Sequence, residues 1–305
     1  MRSWRSIKGD HAAAKPILAI IVVALLITST VGAYAVLFSS PTKGLEAGDL
    51  AKVDYIGQFA DGRVFDTSMW EVASDDDKYP KSLFFKLRGN ETKYSPIEFK
   101  VGGYTMIPGF DQGVRGMKVG ETRTFNVSIA QGYGEMNPDL KRTVQLEETL
   151  PLQTTMDKAT FIATFGEEPA SMKSVKHALL GINATVLSYT NDRVTVLYAG
   201  NHVGDTATVM SYDQRGAKGW TTEVTNMTSS SITVRHHLTE DDSFMVRGFD
   251  KVGLSYTNPS TRRSEVKNDF YVDEVDEDAG TFVMNYNSET TGRVLTFTVT
   301  LRSVA

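Results

Sequence analysis

The stretch VDYIGQFADGRVFDTS, residues 53–68, decides the fold of this chain. Apolar and polar residues alternate through its first half, which is typical of a half-buried strand. Asp61 and Gly62 supply a turn, and a second strand begins at Val64. The stretch therefore predicts two strands joined by a turn.

The elements that follow indicate that this pair belongs to a larger sheet. Residues 97–103, IEFKVGG, read as a further strand, and residues 122–129, TRTFNVSI, again alternate with period two. Between them, DQGVRGMKVGE (111–121) predicts a short helix that places Phe110, Val114 and Met117 near one face. These elements predict one sheet wrapped around a short helix.

Residues 53–68 together with VGGYTMIPGFDQGVRGMKVGETRTFNVSIAQGYGEMN (101–137) resemble the FKBP family. The shared pattern is Tyr-x-Gly, Asp-Gly-x-x-Phe-Asp-x-Ser, Ile-x-Gly-aromatic, Gly-Met-x-x-Gly-Glu and Tyr-Gly, in that order. The closing GRVLTFTVTLRSV (292–304) is similar to the last strand of that family. The resemblance implies an α+β, mostly β fold: an antiparallel half-barrel around a short helix, formed by residues 48–138 and 286–304.

The resemblance also implies an activity, peptidyl-prolyl cis-trans isomerisation, and the residues that carry it. Asp66, Tyr133 and Phe65 would be the catalytic residues. The side chains that would bind the substrate proline are Tyr55, Met106, Ile107, Phe110 and Phe297. The family tryptophan of the central helix is replaced by Phe110, which keeps an aromatic floor.

Residues 139–285 predict a large β-rich insertion, in two parts, between the two pieces of the half-barrel. Short β-like runs alternate with turns, and a weak internal similarity relates residues 181–201, 203–237 and 252–287. An insertion directly after Gly134 resembles the SlyD-like branch of the family, whose insert-in-flap domain binds unfolded chains. Departures from that branch are NSETTG (287–292) before the final strand and the long segment 70–96.

The final alternating run, residues 292–301, needs a sheet to join, and the sheet of residues 50–130 lacks a strand. A second hypothesis starts from Asn201-His202, which resembles part of the branch motif. The half-barrel would then close at residues 203–212, and residues 211–305 would form a separate domain.

Residues 17–38, ILAIIVVALLITSTVGAYAVLF, form an uncharged apolar run. As a helix it would span about 33 Å, enough to cross a hydrocarbon core of about 30 Å. Four basic residues precede the run, which predicts a cytoplasmic tail at 1–16 and main domains outside the cytoplasm, beyond a linker at 39–47. A cleaved signal peptide is the alternative.

Composition excludes several function classes. The chain has 305 residues, a net charge of −5 and no cysteine, so a dominant nucleic-acid surface is not expected and thiolate chemistry is excluded. His177 and His202 are isolated and are expected at the surface, while His236 and His237 would point to opposite faces of a strand. We therefore predict no metal site and no cofactor.

The sequence as a whole predicts a membrane-anchored isomerase and folding chaperone for exported, proline-containing polypeptides that are unfolded or partly folded. The alternative is a holding chaperone or a surface protein-binding module in which the isomerase pocket is weak or inactive. The altered NSETTG motif favours the alternative, because it changes the side of the pocket formed by the flap.

Overall fold

The computed structural model describes residues 43–305. The chain divides into two units, Met1–Lys43 and Gly44–Ala305. The predicted tail, membrane segment and most of the linker lie outside the described residues. Within residues 43–305, no helix is both long and apolar enough to cross a membrane.

The described residues form a mostly β structure with few helices. The strands are β1 Leu50–Gln58, β2 Val64–Thr67, β3 Ile97–Lys100, β4 Thr122–Val127, β5 Lys141–Gln145, β6 Glu147–Pro151, β7 Gln153–Asp157, β8 Ser174–Lys176, β9 Asn183–Tyr189, β10 Arg193–Leu197, β11 Thr206–Val209, β12 Trp220–Met227, β13 Ser231–His236, β14 Arg247–Thr257, β15 Ser264–Asp276, β16 Thr281–Asn285 and β17 Leu295–Val304. The α-helices are α1 Trp70–Ala73, α2 Pro108–Val114 and α3 Lys158–Phe165. Five short 3-10 turns complete the secondary structure of the described residues.

The first sheet, which we call the barrel sheet, has the order β2-β1-β17-β4, with β3 paired to β1. The C-terminal strand β17 runs antiparallel between β1 and β4. Its alternate residues Leu295, Phe297, Val299 and Leu301 are buried, because successive side chains of a strand point to opposite faces. The hypothesis of closure at residues 203–212 is wrong, because β11 pairs with β12 and not with the barrel sheet.

Helix α2 packs on the buried face of the barrel sheet, but it is placed differently from its prediction. It starts at Pro108, three residues before the predicted segment, because the fixed φ and missing N–H of proline suit the first turn of a helix. It ends at Val114, and Gly116 follows in the left-handed region with φ of 74°. Phe110, Val114 and Met117 are buried in the core, as their spacing predicted.

Residues 141–285 form three four-stranded antiparallel sheets, whereas the sequence indicated two parts. Sheet B contains β14-β15-β16-β5, sheet C contains β11-β12-β13-β6, and sheet D contains β7-β10-β9-β8. The chain first lays down β5, β6 and β7, one strand for each sheet. It then completes the sheets in the reverse order, D, C and B, with three strands each, before it enters β17.

This nesting places the two ends of the insertion side by side. The Asn137 N–H donates to the Asn287 side-chain oxygen at 2.9 Å, and the Asn287 amide donates back to the Asn137 carbonyl at 3.0 Å. The Tyr286 N–H donates to the Leu140 carbonyl at 2.8 Å. The chain therefore leaves the barrel and returns to it at neighbouring points.

Three apolar clusters hold the structure together. The barrel cluster lies entirely within residues 45–127 and 295–301. A second cluster joins sheets B and C around Trp220, Phe270 and Phe282, and a third joins sheets C and D around Phe161 and Ile232. The barrel core therefore needs no residue of the insertion.

Segment 70–96 contacts both Glu289, which lies between the insertion and β17, and sheet B. The Glu289 carboxylate, 4% exposed, accepts the backbone N–H groups of Leu83 and Phe84 at 3.3 and 3.2 Å. The Arg247 guanidinium lies over the Phe84 ring at 4.3 Å, and the Phe84 and Tyr271 rings meet edge to face at 6.3 Å. The long segment 70–96 is thus packed between the barrel and sheet B.

Candidate active site

The aromatic residues expected at the site converge from three different elements. Tyr55 comes from β1, Phe110 from α2 and Phe297 from β17. The Phe110 and Phe297 rings meet edge to face at 5.0 Å, and the Tyr55 and Phe110 rings do so at 6.0 Å. Each such aromatic pair contributes about 0.5–1.5 kcal/mol beyond the area it buries, so these contacts stabilise the positions of the rings.

Phe65 closes this cluster on the side of β2. Its ring meets Phe297 edge to face at 5.6 Å. The close approach depends on Gly57, because a Cβ there would lie 2.6 Å from the Phe65 ring and 3.2 Å from the Phe297 ring. The glycine of the Tyr-x-Gly motif is therefore required for the two aromatic rings to pack against the backbone of β1.

Exposure increases from the floor of this cluster to its rim. Phe110 and Phe297 are buried, while Phe65, Met106 and Ile107 are partly buried and pack against them. Tyr133, in the loop after β4, is half exposed. Its pKa is raised by partial burial and by the negative charge of Asp66, which places its hydroxyl within electrostatic reach of that carboxylate.

Asp66 is the polar centre of the site, and both of its oxygens are engaged. One oxygen accepts the Tyr55 hydroxyl at 2.5 Å, and the other accepts the Thr67 N–H at 2.9 Å and the Arg88 guanidinium at 2.5 Å. Arg88 also donates to the Tyr55 hydroxyl at 3.2 Å. The carboxylate therefore orients a buried tyrosine.

The protonation of Tyr55 follows from this arrangement. Burial, then the Asp66 charge and its hydrogen bond, raise the pKa of Tyr55 well above its usual range, and Arg88 opposes part of that increase. The hydroxyl therefore stays protonated at all physiological pH values and remains a hydrogen-bond donor to Asp66.

Several residues of the site were missed by sequence reasoning. Phe99 and Phe125 contact Phe110 at 5.7 and 6.0 Å between ring centroids, and both lie on strands whose alternation was recognised. Their inward register could have indicated them. Arg88 lies in the segment 70–96, where no periodicity or motif pointed to Asp66.

Histidine placement differs in one case from the prediction. His177 is only partly exposed: its Nδ1 accepts the Leu180 N–H at 3.2 Å, and burial lowers its pKa to about 3. His202 is exposed, as expected. His236 is buried, and His237 pairs with Glu223 at 2.8 Å on the surface. Among residues 43–305 no group of three potential metal ligands is found.

Comparisons with known proteins agree with this geometry. The FKBP-type peptidyl-prolyl cis-trans isomerase family matches residues 42–157. A short-type peptidyl-prolyl cis-trans isomerase of Methanocaldococcus jannaschii is 34% identical over 152 residues, which is 50% of this chain and 81% of that protein. The Arabidopsis thaliana peptidyl-prolyl cis-trans isomerase FKBP15-1 is 32% identical over 132 residues, 43% of this chain and 67% of the relative.

A shorter match has the same character. FK506-binding protein 2 of Candida glabrata is 36% identical over 88 residues, 28% of this chain and 48% of the relative. The match to the Methanocaldococcus protein covers most of that relative at more than 30% identity. The residues matched by the family include those of the aromatic cluster from Tyr55 to Tyr133. This chain belongs to the FKBP-type peptidyl-prolyl cis-trans isomerases and is an enzyme of that activity.

Proposed function

We propose that the chain rotates X-Pro bonds in the aromatic cluster described above and that its insertion holds the polypeptide that is being folded. The observation that carries the first part is the convergence of Phe65, Phe110 and Phe297 beside the hydrogen-bonded pair of Asp66 and Tyr55. The second part is supported by the apolar side chains that the insertion exposes.

The chemistry requires no covalent step. Rotation about a prolyl amide has a barrier of about 20 kcal/mol, because resonance holds the bond planar. Water stabilises the planar form by hydrogen bonds to its carbonyl oxygen. An apolar pocket removes that hydration, so the less polar twisted form is favoured relative to the planar one.

Each side chain of the cluster has a role in this mechanism. The rings of Phe65, Phe110 and Phe297 hold the proline ring, while Met106 and Ile107 form the adjoining wall. The half-exposed Tyr133 hydroxyl donates to the substrate carbonyl at the rim. Because Tyr55 and Arg88 occupy the Asp66 oxygens, the carboxylate keeps these groups in place and does not contact the carbon or nitrogen of the twisting amide.

A proline tetrapeptide assay tests the pocket. We expect Phe65→Ala, Asp66→Ala and Tyr133→Phe to lower kcat/KM about tenfold or more, in folded protein. Tyr189→Phe is the matched control, because Tyr189 is 49% exposed and Tyr133 is 50% exposed, but Tyr189 lies in the insertion. Unchanged kcat/KM in the three site variants would refute the proposed pocket.

The holding role rests on the surface of the insertion. Met172, Val203 and Val266 are 70, 60 and 55% exposed on sheets D, C and B or their loops. An exposed apolar side chain gains free energy when another chain covers it, because apolar surface is then removed from water. An unfolded chain, which exposes its own apolar side chains, is the partner that such scattered contacts suit.

The ability of residues 43–305 to keep an unfolded protein from aggregating tests this role. Replacing Met172, Val203 and Val266 together by aspartate should raise the amount of isomerase needed to keep an unfolded protein soluble. Val119→Asp is the control, since Val119 is 56% exposed but lies on the barrel side. A triple variant as effective as the unchanged protein would rule out this surface.

We further propose that the enzyme is anchored by residues 17–38 and faces out of the cytoplasm, as an enlarged member of the SlyD-like branch. The uncharged run of apolar residues and the basic residues before it support the anchor, and the position of the insertion after Gly134 supports the branch. In cells, removal of residues 1–38 should release the protein from membranes. In the unmodified protein, protease added outside the cells should digest the domains that follow residue 38.

A further inference from the structure

A column of stacked side chains connects the insertion to the proposed pocket. The Arg293 guanidinium lies 3.7 Å above the centre of the Phe59 ring and 5.0 Å from that of Phe244. The Phe59 ring in turn lies 5.1 Å from Phe65. Phe244 belongs to the loop between sheets C and B, so the insertion supplies one end of the column and Phe65 the other.

Phe244 is held in a conformation that a bulky residue seldom adopts. Its φ is 59°, in the left-handed region, which is unfavourable for a residue other than glycine. Its N–H donates to the Val272 carbonyl at 2.7 Å, and its carbonyl accepts the Arg63 guanidinium, also at 2.7 Å. Its ring stacks on Tyr271 at 5.7 Å. Contacts from both the barrel and sheet B thus fix the ring against Arg293.

Arg293 depends on its aromatic neighbours. Its side chain is 17% exposed, and among the described residues it forms an ion pair with Asp61 at 3.4 Å. The other terminal nitrogen is buried and has no hydrogen-bond partner among the described residues. A desolvated guanidinium over an aromatic face is stabilised by the negative charge of that face. Without the Phe244 ring, water would reach Arg293. The Arg293 guanidinium would then no longer be held over Phe59, and the Phe59 ring could move away from Phe65.

We propose that Phe244 is a positioning residue for the isomerase reaction: through Arg293 and Phe59 it sets the place of Phe65. This proposal rests on the proposed pocket, in which Phe65 is a wall. It assigns to the insertion a part of the catalytic apparatus that is distinct from holding a client. Phe65 packs edge to face on Phe297, so a small displacement of Phe59 changes the shape of the wall that meets the twisted amide.

The test uses a proline tetrapeptide, which is too short to need a holding surface. In a protein of residues 43–305, Phe244→Ala should lower kcat about threefold to tenfold and change KM less. The reason is that the wall formed by Phe65 is complementary to the twisted amide more than to the planar one. Phe244→Asn is the second variant, since asparagine tolerates a left-handed φ and removes the ring without backbone strain. Phe244→Tyr keeps the stack and should restore the rate.

Two controls separate the possible failures. Met245→Ala alters the neighbouring residue, which is 58% exposed and stacks on nothing in the described structure, and should leave kcat unchanged. Phe65→Ala tests the pocket itself: if it has no effect, the proposed pocket fails. If Phe65→Ala lowers kcat but a folded Phe244→Asn does not, the pocket remains and the positioning role of Phe244 is refuted.

Discussion

At the residue scale, the site is organised by the charge of Asp66. The carboxylate contacts Tyr55, Thr67 and Arg88, and its charge also reaches Tyr133. Burial, and after it this negative charge, raise the pKa of both tyrosines, because each disfavours the phenolate. One carboxylate therefore contributes to the raised pKa of two hydroxyl groups.

Removal of that charge should be visible in the titration of the tyrosines. We expect Asp66→Asn to lower the pKa of Tyr55 and Tyr133, so that two tyrosines ionise at lower pH in the absorbance at 295 nm. Asp61→Asn is the control, because Asp61 pairs with Arg63 and Arg293 and not with these tyrosines. An identical titration curve for Asp66→Asn and the unchanged protein would contradict the assignment.

Arg88 should matter for catalysis because it compensates the Asp66 carboxylate. We expect Arg88→Met to lower kcat/KM for a proline tetrapeptide about threefold to tenfold, since an uncompensated carboxylate draws water toward the apolar cluster. Arg88→Lys retains the charge and should lose less. Arg302→Met is the matched control: Arg302 likewise pairs with a carboxylate of the barrel sheet, that of Asp54, at 2.6 Å. Equal rates in both methionine variants would exclude the role of Arg88.

The contrast between Asp66 and Arg88 shows which residues a sequence can reveal. Asp66, Phe65 and Tyr55 lie in motifs of fixed spacing on two paired strands, so local pattern was enough to bring them together. Arg88 reaches Asp66 across 21 intervening residues without regular periodicity. Only the packing of segment 70–96 between the barrel and sheet B places it there.

At the element scale, β17 is the central strand of the isomerase. Phe297 is 4% exposed and contacts Tyr55, Phe65, Phe110 and Phe125. We expect Phe297→Ala to lower the free energy of unfolding by about 3–5 kcal/mol, the usual loss for a truncated buried phenylalanine. Urea denaturation followed by the fluorescence of Trp70, which lies on the barrel side, measures this loss.

The opposite face of the same strand provides the control. On the exposed face, the hydroxyl groups of Thr298 and Thr124 form a hydrogen bond at 2.9 Å. We expect Thr298→Ala to cost less than about 1 kcal/mol. Similar losses for the two variants would show that the face assignment is wrong.

In sheet C, a buried histidine makes the insertion sensitive to acid. The Trp220 indole N–H donates to Nδ1 of His236 at 2.8 Å, and burial lowers the pKa of His236 to about 4. The unfolded chain takes up a proton near the ordinary histidine pKa of about 6.5. The stability contribution is therefore complete above pH 6.5 and is lost as the pH falls toward 4, by about 3 kcal/mol in all.

Trp220 itself reports this loss. We expect the urea midpoint seen by its fluorescence to fall between pH 6.5 and 4, and His236→Gln, which keeps an acceptor for the indole, to flatten that fall. His202→Gln is the control, because His202 is exposed. The pKa of His177 is also lowered by burial, so this residue accounts for any dependence of the urea midpoint on pH that remains in His236→Gln. An unchanged slope in His236→Gln would contradict the prediction.

In the insertion, the sequence predicted the strands but not their assembly into sheets. Residues 181–201, 203–237 and 252–287, related by weak similarity, lie in sheets D, C and B respectively. Period-two alternation identifies a strand without its partner. The first strand of each of these sheets pairs far along the chain, such as β5 with β16, and no local signal specifies such a pairing.

At the scale of the whole molecule, the chain is an isomerase with a nested insertion whose ends meet. The barrel cluster contains no insertion residue, and the Leu140 carbonyl lies 2.8 Å from the Tyr286 nitrogen. These two facts predict that the barrel folds without residues 141–285 when Leu140 and Tyr286 are joined by two glycines. Sheet B covers Phe84, so the excised protein also needs Phe84→Ser to stay soluble.

The activity of this excised protein tests how the two parts cooperate. It lacks Phe244, so we expect kcat for a proline tetrapeptide to fall by the same factor as in Phe244→Asn, about threefold to tenfold. It also lacks the exposed apolar side chains of the insertion, so suppression of aggregation should disappear. A chain carrying only Phe84→Ser is the control for both measurements. Full tetrapeptide activity after excision would show that the barrel is catalytically independent. A larger loss than in Phe244→Asn would show that further contacts of sheet B, such as that of Arg247 with the Leu83 carbonyl, also shape the pocket.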